Sequence, residues 1–284
     1  MLRLEQSQEI DGNLDMTLLV RPFATPVRHA LAAVAVAALP QIAFADADLA
    51  KQLANPIASM TSVPLQFNYD TGLGPNDTDR WITNIQPVTP FSLGDDWNLI
   101  SRTILPVISL DAPATGLDDV TGIGDVVQSF FFSPKALTDS GWTWGAGPVL
   151  SIPTGSDEFT ADQWGIGPTF VALKQENGWT YGALANHVWG IDPPDDRDAI
   201  NNTFLQPFLA YTTPDAWTFT LLSESAYDWN EEQWTVPIIG AVSKLVTVGG
   251  QPISLQLGGR LYVEGPEGGP DWGLRAAVTF LFPK

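Results

Sequence analysis

Residues 251–282, QPISLQLGGRLYVEGPEGGPDWGLRAAVTFLF, decide the architecture. Every second residue from Ile253 belongs to one row: Ile253, Leu255, Leu257, Gly259, Leu261 and Val263. The other row holds Ser254, Gln256, Gly258, Arg260 and Tyr262. After a polar interlude the alternation resumes, with Trp272, Leu274, Ala276, Val278, Phe280 and Phe282 against Gly273, Arg275, Ala277, Thr279 and Leu281. A period of two is a strand signature, because successive side chains leave a pleat on opposite faces. The apolar row is greasier than a half-buried strand needs, and the opposing row carries arginine and glutamine. That polarity fits a membrane barrel, with apolar residues against lipid and polar ones in the lumen.

The composition agrees with this reading. The chain has 284 residues with few charges (16%), 25 Gly, 23 Pro, 11 Trp and no Cys, so disulfide and thiolate chemistry are excluded. A formal net charge of -19 argues against nucleic acid as a partner, since such binders present basic surfaces. Residues 1–45 read as an export signal: Arg21, Arg28 and His29, then the apolar core Ala30–Leu39, then an A-x-A site at Ala43-Phe44-Ala45. Met16 is an alternative start ahead of it. The apolar core is too short for a spanning helix, and no other run is longer, so a membrane protein of this sequence must cross with strands. Removing residues 1–45 takes away three basic and four acidic side chains, leaving 10 and 28, net -18.

Residues 46–62 read as a short helical tail or plug, with Leu49, Leu53, Ile57 and Met60 near helical spacing and Pro56 interrupting them. Residues 63–284 carry twelve predicted strands, at 63–69, 80–92, 97–110, 122–133, 142–153, 164–174, 179–190, 203–212, 217–227, 234–246, 252–263 and 272–282. The fold class is therefore all-β: a transmembrane antiparallel up-and-down β-barrel with an even strand number, as single-chain bacterial barrels have. Long connections alternate with tight turns, and 19 of the 28 remaining acids, Asp70 among them, fall in the six long ones. All the tryptophans fall near predicted strand ends: Trp81, Trp164, Trp189, Trp229, Trp234 and Trp272 beside long loops, Trp97, Trp142, Trp144, Trp179 and Trp217 beside short turns. Amphipathic rings favour the headgroup level, so these residues predict two interface girdles.

The segments LANPIASMTSVPLQFNYD, DWNLISRTILPVI, GIGDVVQSFFFSPK, GAGPVLSIPTG, WGIGPTFVALKQ, WTYGALANHVW and WGLRAAVTFLFPK, which run from Leu49 to the end, resemble a bacterial family often labelled "neuromedin U" or "transporter". That family is similar to outer-membrane proteins associated with phenol meta-cleavage pathways. The resemblance implies an outer-membrane barrel that passes small, hydrophobic compounds, and it supplies no catalytic residue. Nothing here resembles a short amidated hormone. The chain departs from most bacterial barrels in continuing past its last aromatic residue, as Phe282-Pro283-Lys284.

No enzyme, cofactor or metal site is predicted. His187 lacks the serine two residues on that an outer-membrane phospholipase would place there, and a base needs its nucleophile within hydrogen-bond reach. The run Asp192-Pro-Pro-Asp195-Asp196-Arg197-Asp198 lacks the glycine turn and ligand spacing of a dedicated calcium loop and reads as a solvated acidic loop. Acidic loops of this kind suit divalent cations shared with lipopolysaccharide, which with outer-membrane lipids and a small-molecule solute completes the expected partners. The pairs Gly122/Gly124, Gly145/Gly147 and Gly165/Gly167 have no following helix, so they read as strand glycines that ease curvature or clear space. Asp125 and Gln128 have opposite parity in one strand, which predicts that one of them sits near an end.

An arginine at the lipid midplane costs about 2–4 kcal/mol, so the polar row belongs inside. That register makes Gln86, Arg102, Gln206, Glu224, Gln256, Arg260 and Arg275 candidates to line a passage. Eight-stranded barrels are filled by side chains and sixteen-stranded ones hold a channel; twelve falls between. Two readings stay open: a channel or transporter for passive movement of small molecules, or a structural or adhesive barrel with a filled lumen. Bilayer conductance separates them, and a lipid hydrolysis assay tests the remaining alternative of a membrane-embedded hydrolase.

Overall fold

Alternating strands that face lipid must satisfy every backbone N–H and C=O among themselves, and only closure of the sheet achieves that. A computed structural model describes residues 46–112 and 118–283 and shows such a closed sheet. Its elements are α1 (Ala47–Leu53), β1 (Thr61–Leu73), β2 (Thr78–Ile85), β3 (Val88–Leu93), β4 (Trp97–Leu110), β5 (Val120–Ile123), β6 (Val126–Pro134), β7 (Trp142–Ile152), β8 (Trp164–Glu176), β9 (Trp179–Ile191), β10 (Asn201–Thr212), β11 (Trp217–Ser223), β12 (Ser225–Asp228), β13 (Gln233–Val248), β14 (Gln251–Glu264) and β15 (Trp272–Phe282). Three staves are each split in two. β2 and β3 both pair with β1 and β4, β5 and β6 both pair with β4, and β11 and β12 both pair with β10 and β13. The breaks fall at Gln86-Pro87, Gly124-Asp125 and Glu224. Fifteen segments thus make the twelve strands of an antiparallel barrel, closed where β15 pairs with β1 from Thr61↔Phe282 to Thr71↔Trp272.

The register puts the apolar row outside. Leu257 is 67% exposed, while Arg275 on the other row is 3% exposed. All four strand arginines, Arg80, Arg102, Arg260 and Arg275, share the interior rows. The outward lysines Lys174 and Lys244 instead lie toward strand ends at the short-turn side, where Lys244 sits 5.0 Å from the Trp217 ring centroid. Long side chains placed there keep their charge near the headgroups while their stems cover apolar surface. Nine of the eleven tryptophans are exposed on the outer surface, with Trp142 and Trp144 half-buried against Tyr181 and Trp97.

Asp125, at the β5–β6 break, accepts from the Gly155 and Ala161 backbone N–H groups (3.0 and 2.8 Å) and ties down the β7–β8 loop. Gln128 faces outward, where its amide is spent on Thr103 Oγ1 (2.6 Å), Ser101 Oγ (3.0 Å) and two backbone carbonyls. A fully bonded amide can sit on the outer wall where a free one could not.

The tail enters the barrel. Asp46 caps α1, its carboxylate accepting from Asp48 N (2.9 Å) and Leu49 N (3.2 Å). Leu49, Ala50, Ala58 and Met60 pack on Ala216, Leu245 and Leu281 at the short-turn end. Deeper in, Ile57 is 3% exposed among Ile100, Phe131, Val171, Leu173 and Leu184. Two side chains anchor this segment: Gln175 Nε2 donates to Lys51 O (2.7 Å) and Asn98 Nδ2 to Ser59 Oγ (3.0 Å). β1 begins at Thr61, two residues earlier than the sequence pattern placed it. The expected export signal, with Met16, lies outside the described residues.

Pro148 faces Pro168 in the β7–β8 ladder, and neither has an N–H to donate. Beside them Gly147 and Gly167 let neighbouring backbone come close: a Cβ would stand 2.0 Å from Phe130 O and 1.7 Å from His187 O. These glycines therefore answer to strand spacing, whereas Gly145 clears room for Phe131 and Ile57. Gly167→Ala should force β8 from β9 and destabilise the barrel by about 2 kcal/mol or more. Gly259→Ala, whose added Cβ meets nothing within 4 Å, should be neutral. Urea unfolding in detergent, followed by the loss of the migration difference between unheated and boiled samples, measures both; equal stability of the two variants would refute the backbone-contact account.

Candidate functional site

Cross-strand register brings the interior polar residues together. Asn68 lies opposite Arg275, Asp70 opposite Arg80, and Gln66 opposite Asn84. Asp70 and Arg260 are both partners of Gly273, one on each side. Because Gly273 has no side chain, the two groups meet across it: Arg260 Nη1 stands 3.2 Å from Asp70 Oδ1. A Cβ there would come within 2.6 Å of Asp70 Oδ1 and 2.3 Å of Tyr69 O.

Asp70 is the centre of one half of this belt. Its carboxylate is 0% exposed and accepts from Arg80 Nη2 (3.0 Å) and Tyr262 OH (3.0 Å) besides the Arg260 pair. The sequence pattern places Asp70 in a long loop, and the structure corrects this. β1 runs on to Leu73, so Asp70 continues the inward row Ser62, Pro64, Gln66, Asn68. The parity is present in the sequence; only the strand end is set too early. Asp79, Asp228 and Glu264, also assigned to loops, lie in β2, β12 and β14.

The other half is built on Arg275. Its Nη1 and Nη2 donate to Glu224 Oε1 (2.9 Å) and Oε2 (2.6 Å), a bidentate pair, and its Nε donates to Asn68 Oδ1 (2.8 Å). Planar fork-to-carboxylate pairing of this kind is among the strongest polar contacts available to side chains. Arg102 stands apart. Its Nη2 donates to Gln86 Oε1 (3.2 Å), the Gln86 and Gln66 amides approach to 2.8 Å, and no described carboxylate lies within ion-pair distance of Arg102. Four arginines against Asp70 and Glu224 leave this belt with a surplus of two positive charges, in a chain whose net charge is -19.

Space remains on both sides of the belt. Toward the long loops a cavity of 590 Å³ is bordered by Asn186, Asn202, Phe204, Asp228, Glu231 and Glu267. Toward the short turns a cavity of 240 Å³ and a neighbour of 210 Å³ lie against α1 and the residues that follow it. Of the sequence candidates, Gln86, Arg102, Gln206 and Gln256 border the 240 Å³ cavity, whereas Glu224, Arg260 and Arg275 belong to the ion pairs. Sequence reasoning missed Gln66, Asn68, Asp70, Arg80, Asn84 and Tyr262. All six share the inward rows, and each was legible from parity.

His187 lies on the outer face. Its Nδ1 is 2.7 Å from Thr203 Oγ1, its ring is 4.2 Å from that of Trp189, and Trp229 Nε1 donates to the same Thr203 oxygen (2.9 Å). No serine joins it among the described residues, and these contacts are those of a histidine in the barrel wall. In the acidic loop, Arg197 donates to Thr160 O and Gln163 Nε2 to Asp198 O (2.8 Å), so that loop is tied to its neighbour. No cluster of metal-ligating side chains occurs among the described residues.

Removing one partner of a buried pair leaves the other charge uncompensated, at a cost of about 3–5 kcal/mol. Asp70→Ala strands both Arg80 and Arg260 and should lose stability on that scale in urea titrations, while Asp195→Ala in the exposed loop should stay within about 0.5 kcal/mol. Equal effects would mean that the belt is not held by Asp70.

No curated protein sequence matches the chain. Among solved structures, an outer membrane channel from Pseudomonas putida F1 is similar at TM-score 0.62 and 17% identity, over 79% of this chain and 96% of that one. The beta domain of the Bordetella autotransporter Brka (TM-score 0.44, 11% identity, 79% and 100% covered) and the outer membrane phospholipase A from Escherichia coli (0.47, 11%, 82% and 98%) are more distant. The first of these likenesses shares the fold, an outer-membrane β-barrel. The profile of the family described as the putative MetA-pathway of phenol degradation matches residues 76–284, and the chain belongs to that family.

Proposed function

We propose that the protein is an outer-membrane channel through which small hydrophobic molecules move passively, with residues 46–60 narrowing its short-turn mouth. The observation that carries this reading is the interior itself. Cavities of 590 and 240 Å³ lie on either side of a polar belt within one closed barrel, so the lumen is partly open along its length. The lower cavity is bordered by apolar as well as amide groups, among them Val88, Phe208 and Leu222, which favours solutes with an apolar body over sugars. The family's association with phenol degradation supports the same class of cargo, and the Pseudomonas putida barrel that shares the fold is itself a channel.

Short turns face the periplasm in bacterial barrels, which puts α1 at the inner mouth. The segment is held mainly by apolar packing of its own residues and by two side-chain hydrogen bonds from the wall. Deleting residues 46–60 should raise single-channel conductance several-fold in planar bilayers. Liposomes carrying the intact protein should take up benzyl alcohol faster than empty ones and show no such gain for sucrose. If neither form conducts and no solute moves faster, the filled structural barrel is the better account.

Cleavage of the export signal after Ala45 would leave Asp46, the residue that caps α1, as the new N-terminus. N-terminal sequencing of protein from outer-membrane fractions should begin at Asp46. A chain that retains Ala30–Leu39 would count against an export signal.

A further inference from the structure

The lower cavity has a charge that the ion pairs leave over. Arg102 borders it, and its one hydrogen bond to a described side chain goes to the neutral oxygen of Gln86. The nearest candidate to neutralise it from within the belt is Glu224, but both of that carboxylate's oxygens are taken by Arg275. Asp70 is likewise shared between Arg80 and Arg260. Of the two surplus positive charges, one therefore stays with Asp70 and its two arginines, and the other, on Arg102, faces the 240 Å³ space.

The remaining walls are of two kinds. The amides of Gln86, Gln206 and Gln256 line the cavity together with Arg102, Gln86 bonded to the guanidinium. Phe208 and Leu222, direct partners in the β10–β11 ladder, supply its apolar surface, with Leu53 and Met60 of the tail. An inorganic anion would use the first wall and waste the second. A neutral hydrocarbon would do the reverse and leave the guanidinium bonded only to an amide. A cation would meet Arg102 directly. Size narrows the choice further, because a cavity of about 150 Å³ is enough to hold benzene.

We propose that this cavity is a resting site for a small amphiphilic carboxylate, one ring or an aliphatic body of like bulk, whose carboxylate pairs with Arg102 while its body lies on Phe208 and Leu222. This rests on the channel reading above and gives it a substrate class. Passage then includes a stop at which the anionic end of the solute is held by a fixed guanidinium inside the barrel. The acidic groups of the outer cavity, Asp228, Glu231 and Glu267, do not share in that binding, because the belt lies between the two spaces.

Fluorine NMR on the mature barrel in detergent tests this with para-fluorobenzoate and para-fluorobenzyl alcohol. The wild type should bind the carboxylate saturably and about tenfold more tightly than the alcohol, as a charge-assisted hydrogen-bonded pair implies. Excess acetate, which has no ring, should fail to displace it. Arg102→Gln should lose that tenfold preference and leave alcohol binding within twofold, while Arg102→Lys should keep part of it. Equal binding of the two probes to the wild type, or unchanged carboxylate preference in a folded Arg102→Gln barrel, would overturn the proposal. Should Arg102→Gln not fold, the wild-type preference and its partial retention in Arg102→Lys decide. Liposome uptake of the alcohol separates the two readings. Intact uptake without carboxylate preference sinks this site and spares the channel; Arg102-dependent binding without uptake of any solute does the opposite.

Discussion

In a bilayer the backbone has no water to bond with, and this single constraint orders the rest of the molecule. It requires the β15–β1 ladder, whose eleven paired positions remove the last free edge. Closure then fixes register, and register fixes which side chains meet inside, since a slip of one residue would turn Arg275 and Gln256 toward lipid. The places where the ladder is irregular are also explained from the backbone. Pro148 and Pro168 lie opposite each other, so the two missing donors coincide in one patch, and Gly147 and Gly167 bring neighbouring carbonyls close beside it. At the Glu224 break the pairings of β11 and β12 with β10 stay in one register, so the interruption does not displace the interior rows.

The period of two makes most of this legible from sequence alone. Twelve strands, the inward row of β14 and β15 and the positions of the tryptophans follow from side-chain alternation and the placement of turns, and the tail helix from the helical spacing of Leu49 and Leu53. Strand ends are less legible, because a strand that runs beyond the membrane keeps its alternation while its residues turn polar. β1 shows the consequence: Asp70 looks like the start of a loop, yet it extends the inward row beyond Asn68 and holds two arginines. Gln128 is ambiguous for a different reason. Parity alone puts it outward, against its polarity, and only the contacts to Thr103 and Ser101 from the adjacent strand explain how it is accommodated there. Pairings between distant strands, such as Arg275 with Glu224, depend on closure and tilt and leave no mark in local sequence.

The interior charges bear on whether the barrel is a passage or only a wall. Buried ion pairs are weak contributors to stability, and well-packed apolar side chains of similar volume often serve as well or better. A barrel selected only to stand in the membrane could fill itself with the kind of packing seen around Ile57, where Ile100, Phe131, Val171, Leu173 and Leu184 close together. Here the middle of the lumen instead carries four arginines and two carboxylates, with cavities above and below. Fixed dipoles and charges in a narrow polar stretch determine which solutes are stabilised as they shed water. The belt is thus costly as filler, which favours the proposed passage over a barrel that only stands in the membrane.

The two ends of the passage differ in charge as well as in shape. The outer cavity is bordered by Asp228, Glu231 and Glu267, whereas the belt beneath it has a surplus of positive charge. An anion approaching from outside meets repulsion first, in a region open to solvent and screened by salt over roughly 8–10 Å at physiological ionic strength. Inside the barrel that screening falls away, and the attraction of Arg102 acts at closer range and in a drier setting. The acidic mouth therefore weakens steering of free anions without cancelling their binding within. Solutes whose apolar surface draws them into the lumen gain most from this order of fields, because their arrival does not depend on charge while their retention does.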